Sequence, residues 1–193
     1  MRGRFSRPLG RLRYKRQFVI VAEGTVTERE YFALLDDASI VRVRCLKNKR
    51  SLPPQEALRC VEQYVKNAEL RKGDEAWVVV DRDSWQEEHL DRLQEWAQRA
   101  SGRGFALSNP KFEYWLLLHF EDGSRVRTPD DCDRRLKARV PDYDKHIHPG
   151  KFTEERIVRA VERARGRHTP PGWPRNPGTT VHLLVERILA AKA

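Results

Sequence analysis

The sequence predicts an α/β fold: a mostly parallel sheet flanked by helices, with a helical C-terminal extension. Three observations predict it. Short apolar or alternating runs ("QFVIVA", "VRVRCL", "AWVVVD", "GFALSN") recur between residues 17 and 109. The segments between them repeat their apolar residues at helical spacing. The resulting β-α-β-α-β-α-β-α order needs crossover connections, which place helices on the faces of parallel strands. The chain then divides into a basic arm (1–16), an α/β core (17–122) and a helical and loop extension packed on that core (123–193).

Taken in order, the arm "MRGRFSRPLGRLRYKR" holds seven Arg/Lys and no acid. Arg11, Arg13, Lys15 and Arg16 are candidate phosphate contacts, and Phe5 and Tyr14 can stack on bases. A solvated terminus is the plainer reading. An Arg-rich, acid-free start also resembles a transit peptide, but this one leads directly into a core strand. Residues 17–22 form the first strand and 27–37 a helix, with Thr27 and Glu30 spaced as a capping box. Residues 40–46 alternate apolar and basic, a half-buried strand with Arg42 and Arg44 outward. Residues 55–72 carry Leu58, Val61, Tyr64, Val65 and Ala68 on one helical face, and Gly73 stops that helix. "AWVVVDRDSW" is a β-branched strand ending in acids, and 87–101 is a helix with Leu90, Leu93, Trp96 and Ala97 inward. "GFALSNP" is a fourth strand, and "KFEYWLLLHF" a helix with Asn109 as N-cap and Pro110 in its first turn. Beyond residue 123, short helical pieces lead to helices 154–165, capped by Thr153, and 180–191, joined by the connector "GRHTPPGWPRNPG".

Composition narrows the function. The chain has 193 residues, 39% of them hydrophobic, enough for a core and against general disorder. The net charge of +10 calls for an acidic partner, most simply nucleic acid. "WVVV" and "YWLLL" are too short to span a membrane, and there is no secretory apolar segment. Cys45, Cys60 and Cys132 are odd in number and far apart, which indicates neither a disulfide framework nor a cysteine zinc site and suits a reducing cytoplasm.

The chemistry gathers at strand ends. Glu23 ends the first strand, Asp81 the third, and Asp83 follows two residues on. In a parallel sheet all come to one rim, where ligands bind. Clustered carboxylates repel one another, and a hard divalent cation such as Mg2+ or Mn2+ relieves that with oxygen ligands. Gly24 lets a phosphate approach the backbone and the following helix N-terminus. Structural alternatives stand beside each: Asp83 as a helix cap, Glu23 as a salt-bridge partner of an arginine.

"VAEGTVTEREYF", "VVVDRDSW", "LSNPKFEYWLLLHF" and "NPGTTVHLLVERI" together resemble the RloB-like family, itself similar to the AbiLii component of abortive-infection systems. The resemblance runs from about Gln17 to near the C-terminus. It implies a Toprim-like fold, with Glu23 as the strand-end glutamate and Asp81 and Asp83 as the Asp-x-Asp pair that serve divalent metal and acid/base chemistry on phosphodiesters. It also implies an ATPase partner and a place in phage defence.

Glu113 lies on the same expected rim, either as a favourable helix-dipole residue or as a further metal ligand. Lys111, Lys145 and Lys151 are candidate phosphate contacts. Arg82 either balances the carboxylates or holds the scissile phosphate. His119 reads as a core or groove residue, and His146-x-His148 either as a surface loop or as a metal pair with no third ligand nearby. The function expected is a Mg2+-dependent Toprim-like nuclease, cytoplasmic and without a membrane span. A non-catalytic nucleic-acid-binding module is the second reading. A phosphatase of the haloacid-dehalogenase type, with Asp81 as nucleophile and Asp83 as acid/base, fits worst: its motif belongs on the first strand with Thr at the fifth position, where this chain has Trp85.

Overall fold

A computed structural model describes residues 16–193 except 38, 69, 83–84, 168–173 and 175–176. The arm residues Arg11, Arg13 and Lys15, and Asp83, therefore lie outside the described residues.

The core is a five-stranded sheet in the order β2-β1-β3-β4-β5. Its strands are β1 (Arg16–Ala22), β2 (Val41–Cys45), β3 (Glu75–Asp81), β4 (Arg103–Asn109) and β5 (Gly178–Thr179). The first four are parallel, as the alternation of strands and helices predicts, and β5 runs antiparallel to β4. The sheet is consistent with a Toprim-like architecture. Helices α1 (Thr27–Ala33), α2 (Pro54–Asn67), α3 (Glu87–Gln98) and α4 (Phe112–Leu117) follow β1 to β4 in turn. Helices α5 (Pro129–Arg139), α6 (Glu154–Arg165) and α7 (Val181–Lys192) build the C-terminal part.

The period-two alternation of the strands sorts side chains onto two faces. Phe18, Ile20, Trp77, Val79 and Ala106 join the cluster that includes α1, α4, α6 and α7. Val21, Ala76, Val78, Val80, Phe105 and Leu107 face α2 and α3 through Ala57, Val61, Leu90, Leu93 and Trp96. All six residues of α4 are buried; α5 and α6 pack against it, while α7 packs on α6, β4 and β2. Truncating Trp115, which is 0% exposed, removes burial worth roughly 3–5 kcal/mol.

Local details depart from the sequence reading. Helix α2 ends at Asn67, capped by Ala68, and Gly73 (φ +98°) instead shapes the turn into β3. β4 continues through Asn109, so the N-cap of α4 is Lys111 rather than Asn109. No capping box forms at α1. Its Thr27 hydroxyl donates to the carbonyl of Lys145 at 2.7 Å, and Glu30 accepts from the Ile147 amide at 2.8 Å. The box that does form is Thr128 with Asp131, at the start of α5. Helix α6 begins after Thr153, whose side chain makes no cap bond. Among the described residues, no helix is long and apolar enough to cross a membrane.

Candidate active site

β1 and β3 are neighbours, so their carboxyl ends bring Glu23 and Asp81 together. The Glu23 amide continues the ladder to the Val79 carbonyl at 2.9 Å, and its carboxylate Oε2 accepts the Asp81 N–H at 3.1 Å. Asn48, on the loop after β2, ties this corner down: its amide donates toward the carbonyls of Glu23 at 3.2 Å and Arg50 at 3.0 Å.

A cleft of about 310 Å³ opens at this rim. Four carboxylates line it, those of Glu23, Glu28, Asp81 and Glu113, together with the ammonium group of Lys145. Glu23, Glu28 and Glu113 are 7%, 6% and 4% exposed, a degree of burial that carboxylates tolerate only with partners. Glu113 receives the Tyr143 hydroxyl at 3.0 Å and an ion pair from Lys145. Burial holds Tyr143 well above the usual phenol range, and the Glu113 charge adds to it.

Glu28 was not singled out by the sequence reading. Its carboxylate sits at the first turn of α1, and Oε1 accepts the Gly24 amide at 3.1 Å. Burial raises its pKa above the usual carboxylate value, and the Glu113 charge pushes the same way, against its backbone hydrogen bonds. The available signal was its place five residues beyond Glu23 on the first turn of the next helix. The Gly24 amide is thus engaged by Glu28 rather than presented to a phosphate. A Cβ at position 24 would meet Glu28 Oε2 at 2.1 Å, so a larger residue there would have to displace the Glu28 side chain.

Lys145 reaches the cleft from the segment 143–148, which is pinned along α1. Thr27 holds its carbonyl, while Glu30 accepts the Ile147 amide and pairs with His146 Nδ1 at 2.9 Å. Lys145 has φ +80°, the positive-φ non-glycine position among the described residues, at a cost of order 1–3 kcal/mol. Those tethers hold it there.

Other candidates stand elsewhere. The Arg82 guanidinium donates to the Trp85 carbonyl and lies 3.6 Å from Glu87, bracing the turn into α3. Lys111 pairs with Asp133 at 2.6 Å. Lys151 is exposed in the 3-10 turn Pro149–Lys151, and Arg16 begins β1 at the far end of the sheet. His119 is a core residue, bonded to Tyr31 at 3.1 Å, and burial depresses its pKa to about 3. His148 is exposed and lies 3.7 Å from Asp142.

The donor set is all oxygen, the kind that suits a hard divalent ion. Among the described residues no three His, Cys, Asp or Glu side chains already stand close enough to hold one.

The family profile described as RloB-like protein matches residues 18–188, nearly the whole chain. The chain belongs to the RloB-like family. No curated protein and no solved structure matches it. The matched span takes in every element that builds the cleft of this RloB-like protein, from β1 to the segment that carries Lys145.

Proposed function

We propose that this RloB-like protein is a divalent-metal-dependent nuclease that hydrolyses phosphodiesters of DNA or RNA. The observation that carries the reading is the cleft itself: four carboxylates and one lysine converge at the carboxyl rim of a parallel sheet. A Mg2+ or Mn2+ ion there would polarise the phosphate and lower the pKa of a hydrolytic water. Glu23, Asp81 and Asp83 are the residues that would hold it, with Glu28 and Glu113 completing the oxygen donors. If the ion is held without it, Glu23, whose carboxylate lies at the rim beside Asp81, would serve instead as general acid/base. Lys145, whose ammonium meets Glu113 in the free protein, would be available to pair with a phosphate if a cation neutralised that carboxylate.

The Toprim-like mechanism, an ATPase partner that regulates cleavage and a role in phage defence follow from the family resemblance and belong to the same proposal. A specific observation favours the second reading, a non-catalytic nucleic-acid-binding module: Glu113 already has a cation in Lys145, so part of the acidity is balanced internally. The two separate on incubation of purified protein with DNA, total RNA and tRNA in Mg2+ or Mn2+, with and without the ATPase partner, beside an Asp81→Ala control. Cleavage by the wild type and not by the control supports the nuclease. Binding without cleavage under all those conditions supports the module.

A further inference from the structure

A second cavity, of about 440 Å³, lies at the opposite edge of the sheet. Arg16, Glu75 and Arg103 are the first residues of β1, β3 and β4, and all three line it. With seven residues per strand and about 3.3 Å per residue, it stands roughly 20 Å from the carboxylate cleft. Five cationic side chains surround it (Arg16, Arg71, Lys72, Arg103 and Arg187) against the carboxylates of Asp74 and Glu75.

Both acids are consumed inside the fold. Glu75 is 2% exposed and is bound by Arg16, by Arg187 at 2.7 Å and by the Trp77 indole N–H at 2.9 Å. Asp74 accepts the backbone amides of Gln17 at 2.8 Å and Arg71 at 2.9 Å. The turns that form the wall are fixed by Gly73 and Gly102, at φ +98° and +86°, and a Cβ on Gly102 would meet the Asp74 carbonyl at 2.9 Å. The acids thus order the wall, while Arg71 and Lys72 remain exposed at its mouth. Arg103 is held over the Trp96 ring at 5.3 Å.

We propose that this cavity is an exosite for the phosphodiester backbone of nucleic acid. Its charge excess is cationic and its geometry is built rather than incidental. Among the described residues its lining has no Phe, Tyr or Trp, so it offers charge to a backbone but no stacking platform to a base. In sequence, Arg16 directly follows a segment with six more Arg/Lys and no acid. The exosite holds the polymer by its phosphates without sequence preference, leaving the carboxylate cleft to act on a separate part of the strand. It does not depend on that cleft being catalytic, because its readout is binding.

The test is fluorescence anisotropy of a labelled DNA duplex on the full chain over a series of salt concentrations. The double variant Arg71→Glu/Lys72→Glu changes two exposed side chains, and Asp74 keeps its hydrogen bond because it accepts the Arg71 backbone amide. Its thermal melt is compared with the wild type before binding is read. The duplex should bind more weakly, with a log-log salt slope shallower by about 2. Lys72→Glu alone, for use if the double variant melts early, should reduce the slope by about 1. Wild-type affinity and slope in a folded variant would overturn the proposal. Displacement of the duplex by micromolar ATP, abolished in the variant, would also overturn it and assign the cavity to a free nucleotide.

Discussion

The carboxylate of Glu28 turns back onto the backbone amide of Gly24, with Oε1 3.1 Å from the nitrogen. Gly24 does not have a positive φ, so what glycine provides here is room for the Glu28 carboxylate and not a special backbone conformation. Gly24→Ala should therefore fold but expel Glu28 from its pocket, losing a buried charged hydrogen bond worth roughly 1–3 kcal/mol. Glu28→Ala should remove most of the added cost of Gly24→Ala, because the clash partner is then gone. A double-mutant cycle by denaturant unfolding measures this, and strictly additive losses would contradict the steric account.

The metal prediction concerns Asp81 and Asp83. Replacing both by Asn should abolish Mn2+ binding by calorimetry while leaving the thermal melt of the metal-free protein at least as high as wild type. Asp81 sits at the end of β3 and is half-buried, outside the apolar run. Removing clustered negative charge relieves repulsion. Unchanged Mn2+ affinity would overturn the assignment of the ion to Asp81 and Asp83.

How far the sequence reaches is visible in these residues. Periodicity located β1 to β4 and the helices between them, and parallel order alone brought Glu23 and Asp81 to one rim. Partners distant in sequence were not legible. Glu30 has capping-box spacing, yet its carboxylate is taken by Ile147 and His146, 117 and 116 residues away. Glu28 looks like an ordinary first-turn acid until the fold places it in the cleft that Glu113 also lines. β5 is two residues long, too short to show a period, and the Asn109 to Gly178 pairing that makes it a strand is tertiary.

The Glu30–His146 clamp gives a pH dependence. Its hydrogen bond to Glu30 raises His146 above 6.5, so the stability it contributes is present below that value and lost as pH rises through the raised pKa. Burial works against Glu30, but the Ile147 amide and His146 hold it below 4.5, so its contribution is present above 4.5 and lost as pH falls through the lowered pKa. The clamp should be tightest from mildly acidic to neutral pH. Hydrogen-exchange protection of the Ile147 amide should fall on the alkaline side in the wild type, and His146→Ala should flatten that fall. Identical profiles would mean that Ile147 is held by packing alone.

The arm should be removed between residues 2 and 15, sparing Arg16, because Arg16 binds the buried carboxylate of Glu75. This truncation should leave the fold stable and flatten the salt dependence of duplex binding, by about 0.9 in slope for each phosphate that the arm neutralises. Extending the deletion through Arg16 should add a loss of roughly 1–3 kcal/mol, since among the described residues Glu75 then keeps Arg187 and Trp77 as side-chain partners. Equal slopes for the full and truncated chains would make the arm a solvated tail. Equal stability of the two truncations would make the Arg16–Glu75 pair dispensable.

Glu23→Gln tests the chemistry most directly. Gln keeps the size of the side chain and an oxygen that can still accept the Asp81 amide, so the β1–β3 corner should hold. What is lost is the negative charge and the capacity to move a proton. General acid/base groups contribute typically ~10²–10⁴ in rate. The variant should melt like the wild type, bind nucleic acid with the same salt slope and cut slower by about that factor, under conditions where the wild type cuts. If the loss comes from metal binding, raising Mn2+ should recover much of it. If it comes from proton transfer, saturating metal should leave the rate low. A variant that cuts as fast as wild type would reduce Glu23 to the structural acceptor of the Asp81 amide and leave the proton transfer to Glu28 or Glu113.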